Sequence, residues 1–320
     1  MKRLFTVRNL VILGVLVAIN LLAGRLGLRV ALPLISVAAE TIVHFGNFSI
    51  SNSLLTAWIV MAILIILALA ATRRIPKDID SAANADLVPN GLANVVEWVI
   101  EGINGLVTSV GGRWSARYFP IVMTIFLFVI ASNWLGLLPG FGSIGLLEHP
   151  HDANATSYIA RGAVLTAEVA EDSHEGYVLV PLLRSPSTDL NFTLALALVS
   201  VFMTQYFGVE SLKLGYFSKF FNVHGFKDGV FPGIVEFFAG LLELIAEFAK
   251  IISFSFRLFG NVFAGEVLLG VMAFLIPYAI SLPFYGLELF VGFIQALVFM
   301  MLTLVFFASA TIGHGGEAHH

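Results

Sequence analysis

The chain has no cysteine and few charged residues. Without cysteine, its 320 residues contain no disulfide, no thiolate metal site and no cysteine nucleophile. Charged side chains make up 12% of the sequence, whereas about a quarter of the residues are charged in an ordinary soluble domain. No strongly basic cluster occurs, and a net charge of -4 provides no basic surface for nucleic acid. Because 58% of the residues are apolar or aromatic, the composition predicts a membrane protein.

Three apolar runs are long enough to cross a bilayer. A helix needs about 20 apolar residues to span roughly 30 Å of hydrocarbon. The runs that meet this length without any charge are 54–71, 119–138 and 190–208. These runs predict three membrane-spanning helices.

The N-terminal apolar run, residues 10–23, has two open interpretations. It follows Lys2, Arg3 and Arg8 and is short for a span, so it fits either a retained first membrane segment or a cleaved secretory signal. We therefore divide the sequence into an N-terminal extra segment, residues 1–35, and a main membrane domain, residues 36–320.

The connecting segments predict the orientation, because lysine and arginine are enriched in cytoplasmic loops. Residues 72–118 contain five basic residues, whereas residues 139–189 contain only Arg161 and Arg184. The first segment is therefore predicted to be cytoplasmic and the second external. Residues 210–230, the N-terminal tail and the C-terminus are then cytoplasmic as well.

Both of these loops have predicted local structure. Apolar positions at helical spacing in residues 91–109 predict a helix that either lies amphipathically at the membrane interface or is solvated. In the external loop, residues 157–170 and 176–183 are rich in β-branched and aromatic side chains and flank an acidic turn. These two segments predict a small β-hairpin.

Histidines of the external loop raise the question of a metal site. His149, His151 and His174 are widely spaced in a polar loop, a pattern more typical of solvent-exposed side chains than of metal ligands. The sequence therefore predicts neither a metal nor a cofactor.

The last third of the chain predicts two unusually long helices. At 1.5 Å per residue, a helix over 231–276 is roughly 65–70 Å long, about twice the hydrocarbon thickness. Pro277 and Pro283 are expected to make the turn, and residues 284–311 predict a second helix of about 42 Å. Because the first helix cannot stand upright in a bilayer as one span and the second is long for an upright one, residues 231–312 are predicted to form a slanted helical hairpin. The fold class is thus an all-α polytopic membrane protein with about five to six membrane helices.

Ionisable residues are concentrated in this hairpin, although they are expensive at membrane depth and usually mark ion pathways or neutralising pairs. The hairpin contains Glu236, Glu243, Glu247, Lys250, Arg257, Glu266 and Glu288. At 100° per residue, the first five share one face of the first helix with Ser253 and Asn261, whereas Glu266 lies on the opposite face. On the second helix, Glu288 and Gln295 share a face.

Two interpretations of this polar stripe remain open for its acids. Glu236, Glu243 and Glu247 either take part in an ion pathway or form internal ion pairs and face water, as Glu247 with Lys250 would. Arg257 differs, because no acid lies one turn away on its own helix. Its guanidinium stays protonated at any working pH and needs a carboxylate from another element or another subunit.

Two runs in the hairpin resemble a known family. Residues 253–266, SFSFRLFGNVFAGE, are similar to the signature of subunit a of the F-type ATP synthases, and residues 294–303, IQALVFMMLT, resemble that family's other signature. Residues 133–139, NWLGLLP, and 189–193, DLNFT, are weaker matches in the usual order. The resemblance extends from about residue 44 to residue 310.

The resemblance implies a role in a larger complex. In this family the subunit is a non-catalytic stator of the bacterial plasma membrane that packs against a rotating ring of c subunits. Its slanted hairpin supplies two aqueous half-channels. The implied partners are the ring, the subunit b peripheral stalk, the other ATP synthase subunits and membrane lipid.

The same resemblance implies roles for individual residues. Arg257 matches the essential arginine that faces the ring carboxylate. Glu288 stands where enterobacterial relatives carry histidine, so two acids replace a glutamate and histidine pair. The polar positions of the inlet half-channel match Asn261, Glu266 and Gln295, and positions of the other half-channel match Glu243 and Ser253. The secondary polar stripe, without a matched role, consists of Glu236, Glu247 and Lys250.

Other function classes fit the residues less well. A secondary transporter would bind its solute between repeated or broken helices, but the sequence shows no internal repeat. A membrane-bound hydrolase would need a nucleophile with a base, or a metal cluster, at membrane depth, and the sequence shows neither. Another ion channel is the remaining alternative. Both proton and sodium coupling are compatible with the sequence.

Overall fold

The computed structural model is predominantly helical. The residues it describes are 14–15, 18, 22, 36–46, 48–73, 91–138, 141–142, 144–149, 158–161, 164–169, 176–220, 229–275 and 281–312. The helices whose bounds lie within the described residues are, in chain order, α1 (Asn52–Thr72), α2 (Leu92–Gly111), α3 (Ser115–Gly136), α4 (Leu190–Leu212), α5 (Val230–Leu275) and α6 (Ser281–Thr311). Short 3-10 turns lie at Gly112–Trp114, Pro186–Thr188 and Lys213–Lys219.

Five helical stretches in the described part of the chain are long and apolar enough to cross a membrane. They are Asn52–Thr72, Ala93–Gly136, Leu190–Leu212, Gly233–Leu275 and Leu282–Thr311. The three predicted spans are confirmed as helices α1, α3 and α4, and the protein is an all-α polytopic membrane protein. Of the N-terminal run, only residues 14, 15, 18 and 22 are described, and they are helical; the rest lies outside the described residues.

The two long helices of the last third are also confirmed, with one correction to their boundary. α5 has 46 residues and α6 has 31. Pro283 does not belong to the turn, because α6 already begins at Ser281 and Pro283 lies in its first turn. Proline fits there, since the first backbone N–H groups of a helix have no partner within the helix. Pro277 lies outside the described residues.

The helix predicted in residues 91–109 is confirmed as α2. The residue that caps its C-terminal end is Gly112, whose φ of 50° lies in the left-handed region that favours glycine. A 3-10 turn then leads into α3. Val95 and Trp98 leave large apolar surfaces exposed on α2. The choice between an interfacial and a solvated helix stays a prediction.

The hairpin predicted in residues 157–183 is wrong in its pairing. Strand β4 (Tyr158–Arg161) pairs with β5 (Val164–Val169), so both partners lie within the first predicted segment. Strand β6 (Val178–Pro181), from the second segment, pairs instead with β3 (Gly145–Glu148). Among the described residues of the two segments, an isolated bridge joins Tyr158 and Tyr177. Residue composition predicts strands, but it does not specify which strands pair. A further hairpin, β1 (Thr41–Phe45) with β2 (Phe48–Ser51), precedes α1.

The chain divides into two compact units. The first comprises Met1–Ala57, Ser132–Asp189 and Phe259–Phe293, and it contains all six strands. The second comprises Trp58–Ala131, Leu190–Leu258 and Ile294–His320.

Aromatic packing and hydroxyl pairs hold the helices of the second unit together. The rings of Tyr118, Phe207 and Phe307, on α3, α4 and α6, lie with centroids 5.0 to 5.5 Å apart. Tyr118 also donates to the Phe307 carbonyl at 3.2 Å. Ser200 and Thr303 hydrogen-bond at 2.9 Å. Because apolar surface gains little from leaving lipid, such packing and hydrogen bonds are what join membrane helices.

Candidate functional site

The structure places the residues of the polar stripe in three environments. Exposed positions are Ser253, Arg257, Asn261 and Glu266. Half-buried positions are Glu236, Glu243 and Lys250, and buried positions are Glu247, Glu288 and Gln295. Some of these charged residues form ion pairs, in one cluster within each unit.

In the first unit, Glu266 forms an ion pair with Arg184. Both Nε and Nη2 of Arg184 donate to Oε2 of Glu266, at 3.3 and 3.2 Å. The side chain of Arg184 is only 7% exposed, whereas that of Glu266 is 45% exposed. The arginine is therefore the buried partner of the pair, and the glutamate is the exposed one.

Backbone carbonyls hold Arg184 in place. Its Nη2 donates to the carbonyl oxygen of Ser36 at 2.7 Å, and its Nη1 donates to that of Ala38 at 3.2 Å. Its backbone N–H donates to Oγ1 of Thr56 at 3.2 Å. The stretch that precedes α1 thus holds the guanidinium that binds Glu266, and Thr56 near the start of α1 holds the backbone of Arg184.

A second carboxylate, Glu40, lies in this cluster and outside the membrane-spanning helices. It is half-buried, and its Oε2 is buried without a hydrogen-bond partner among the described residues. Burial raises the pKa of Glu40 above its ordinary value; Arg184 opposes this rise, and Glu148 and Glu266 add to it.

Glu288 occupies a space that a glycine leaves open. It is 6% exposed, and a Cβ atom added at Gly265 would collide with its carboxylate. The end of α3 fixes the backbone beside it: Asn133 donates to the carbonyl of Gly292 at 3.0 Å, and Trp134 donates to that of Leu289 at 3.1 Å. No ion pair or hydrogen bond joins Glu288 to another residue in the part of the chain that is described.

In the second unit, Lys219 links the acids of the polar stripe. Its Nζ lies 2.8 Å from Glu243 and 2.9 Å from Glu247. Lys250 binds the same oxygen of Glu247 at 2.9 Å, and Gln205 donates to the other oxygen at 3.1 Å. Of the two alternatives left open for these acids, the internal ion pair of Glu247 with Lys250 is observed.

The segment that carries Lys219 packs closely against α4 and α5 at two glycines. A Cβ at Gly208 would collide with the ring of Tyr216, and one at Gly240 would collide with the backbone of Phe220. Tyr216 donates to Gln205 at 2.7 Å. Burial lowers the pKa of Lys219, but hydrogen bonds to Glu243 and Glu247 outweigh it and hold the pKa above its ordinary value. Lys219 is therefore charged at neutral pH.

Arg257 makes no ion pair with any residue that the structure describes. It is exposed on α5, and Phe248, Ile252 and Phe256 of the same helix also expose most of their apolar surface. A permanent cation in a mainly apolar surface can attract a carboxylate supplied from outside the chain and form an ion pair with it.

Comparison with known proteins identifies the family. The model of the family described as ATP synthase A chain matches residues 54–308. A relative named ATP synthase subunit a, from Syntrophobacter fumaroxidans (strain DSM 10017 / MPOB), is 31% identical over 296 residues, which cover 91% of this chain and 95% of the relative. The chain belongs to the ATP synthase A chain family. The matched residues of this ATP synthase A chain family member include both signature runs and lie inside the predicted main domain.

The sequence patterns do not predict several residues of the two clusters. They mark Arg184 only as one of two basic residues of the predicted external loop, and Lys219 only as part of the predicted cytoplasmic segment, residues 210–230. An arginine in a segment with so few basic residues is a signal that it has a specific partner. The orientation of the loop explains the small number of basic residues equally well, so the signal does not single out Arg184. Among the described residues no group of three potential ligands could hold a metal ion; His151 and His174 lie outside them.

Proposed function

We propose that this chain is the ion-translocating stator subunit of an F-type ATP synthase and couples proton flow to the rotation of a ring of c subunits. The observation that carries the proposal is Arg257, an exposed guanidinium with no ion pair in the described chain. A proton cannot cross a low-dielectric core directly, so it enters one aqueous half-channel and neutralises a ring carboxylate. After rotation of the ring through lipid, it leaves by the other half-channel.

In this mechanism Arg257 lies between the two paths. Its fixed charge attracts each arriving deprotonated ring carboxylate, which supplies the partner that the described chain lacks. Because arginine does not release its own proton, it also blocks a direct leak between the half-channels.

In the proposal, the two half-channels use different polar residues of the hairpin. Glu266 and Glu288, with Asn261 and Gln295, are proton relays or polar lining of the inlet. Glu243 and Ser253 belong to the outlet, where Glu236, Glu247 and Lys250 extend the polar surface. Carboxylates that both take up and release protons make protons the proposed coupling ion.

The proposed location is the bacterial plasma membrane, with the C-terminus and the basic loops in the cytoplasm, as the distribution of lysine and arginine predicts. The subunit itself performs no chemical catalysis. Its proposed partners are the c ring, the subunit b peripheral stalk and the remaining ATP synthase subunits, together with membrane lipid.

The test replaces Arg257 in the complete complex. In inverted membrane vesicles, Arg257→Ala and Arg257→Lys should abolish both ATP-driven proton pumping and ATP synthesis while the subunits still assemble. Arg117→Ala is the matched control, because Arg117 is also exposed but pairs with Glu210. Coupling at the wild-type level in both Arg257 variants would refute the proposal. Collapse of synthesis by a protonophore, and not by a sodium ionophore, checks the coupling ion.

A further inference from the structure

Arg184 is a buried cation that the mechanism above does not use. It lies between β6 and α4, far in sequence from the hairpin, and only 7% of its side chain is exposed. A buried arginine is expensive unless its donors are satisfied, so its partners indicate what it is for.

The guanidinium donates two hydrogen bonds to one oxygen of Glu266. Nε and Nη2 both donate to Oε2, and the described residues provide no hydrogen bond to the other oxygen, Oε1. Since 45% of the glutamate side chain is exposed, the carboxylate is held by one oxygen while the rest of it remains accessible.

Arg184 cannot follow a moving glutamate. A second Nη2 donor and one Nη1 donor are bonded to the carbonyls of Ser36 and Ala38, at 2.7 and 3.2 Å. Its backbone N–H is bonded to Thr56 at the start of α1. The guanidinium is therefore a fixed point, and the position of the Glu266 carboxylate is set by it.

We propose that Arg184 is a positioning residue for ion uptake, which pins Oε2 of Glu266 and leaves Oε1 to exchange protons with water. This inference rests on the proposed function, in which Glu266 is an inlet relay. Lysine would replace it only in part, because one ammonium cannot reproduce the planar fork that bonds a carboxylate and two carbonyls at once.

The experiment measures passive proton conductance of the membrane sector in vesicles from which the catalytic part has been stripped, driven by a potassium diffusion potential. The variants are Arg184→Gln, Arg184→Lys, Glu266→Gln and the double variants, each normalised to the amount of assembled subunit. Arg117→Gln is the matched control, since its ion pair with Glu210 is more exposed and belongs to the second unit.

Loss of hydrogen bonds to a charged group predicts that Arg184→Gln conducts at least about tenfold more slowly than wild type. Arg184→Lys, which keeps the charge, should recover part of this loss. In a Glu266→Gln background, neither Arg184 variant should slow conductance further, whereas a purely structural role of Arg184 would add its own loss. If Arg184→Gln fails to assemble, Arg184→Lys and its double variant provide the same comparison.

The outcomes distinguish the proposed inlet role of Glu266 from the positioning role of Arg184. Wild-type conductance in Glu266→Gln would overturn the inlet assignment in the proposed function, and the inference with it. Slow conductance in Glu266→Gln together with wild-type conductance in both Arg184 variants would overturn the inference alone. Additive losses in the double variants would also overturn it.

Discussion

A single methyl group at Gly265 should disable the proposed inlet without unfolding the protein. The side chain of Glu288 fills the space beside this glycine so closely that a Cβ would collide with both carboxylate oxygens and with Cδ. In Gly265→Ala the backbone of α5 has no reason to move, because alanine is the better helix former by about 1 kcal/mol. The flexible glutamate is the part that gives way.

The size of this displacement follows from ordinary contact distances. Non-bonded heavy atoms separate to about 3.5 Å, so the carboxylate has to move by about 1 Å or more. Misplacement of a reacting group by about 1 Å can reduce a rate about 100-fold. We therefore expect Gly265→Ala to slow proton conductance by about 10- to 100-fold, with a normal amount of assembled subunit.

The assay is again passive proton conductance through the stripped membrane sector. Gly105→Ala is the control, because a Cβ at this helical position meets open space. Gly265→Ala combined with Glu288→Asp should recover part of the lost conductance, since the shorter side chain gives back the length of about one bond. Wild-type conductance in Gly265→Ala would refute the reasoning that the position of Glu288 matters.

Three further predictions concern the surroundings of the site. Lys219→Gln leaves Glu243 and Glu247 without their shared cation and should cost about 1–3 kcal/mol, seen as less assembled subunit; Lys219→Gln with Glu243→Gln should restore part of it. Because the pKa of Glu40 is raised, its favourable neutral form is lost as pH rises, so Glu40→Gln should slow amide hydrogen exchange in residues 36–46 at pH 8 and change nothing near pH 4; faster exchange at pH 8 would contradict this. Tyr118→Phe removes the hydroxyl that bonds Phe307 and Thr311 and should lower the free energy of unfolding by about 1 kcal/mol, which thermal unfolding of the purified complex would measure.

Local patterns were sufficient to predict the helices. The apolar runs and the long hairpin have bounds within a few residues of α1, α3, α4, α5 and α6, because hydrophobicity and helix-ending residues act over one or two turns. Pro283 was misplaced because a proline is equally acceptable in a turn and in the first turn of a helix.

Partners that lie far apart in sequence were beyond the same patterns. Arg184 and Glu266 are 82 residues apart, and the pairing of β3 with β6 likewise joins distant segments. Whether two such segments meet depends on how whole helices pack, and no periodicity within either segment reports it. The ion pair of Lys219 with Glu247, 28 residues away, is likewise not predictable from local patterns. It depends on how the segment of Lys219 packs, with Tyr216 against Gly208.

The contact between Gly265 and Glu288 also explains how two acids come together at one place on α5. Glu266 is the next residue along the chain, so its Cα lies about 3.8 Å from that of Gly265. Successive side chains of a helix point about 100° apart, so Glu266 leaves α5 on a flank adjoining the one that receives Glu288. Arg184 then holds the Glu266 carboxylate through one of its oxygens. A proton passed between the two acids in the proposed inlet therefore moves around one flank of α5, and the small size of residue 265 is what keeps that route short.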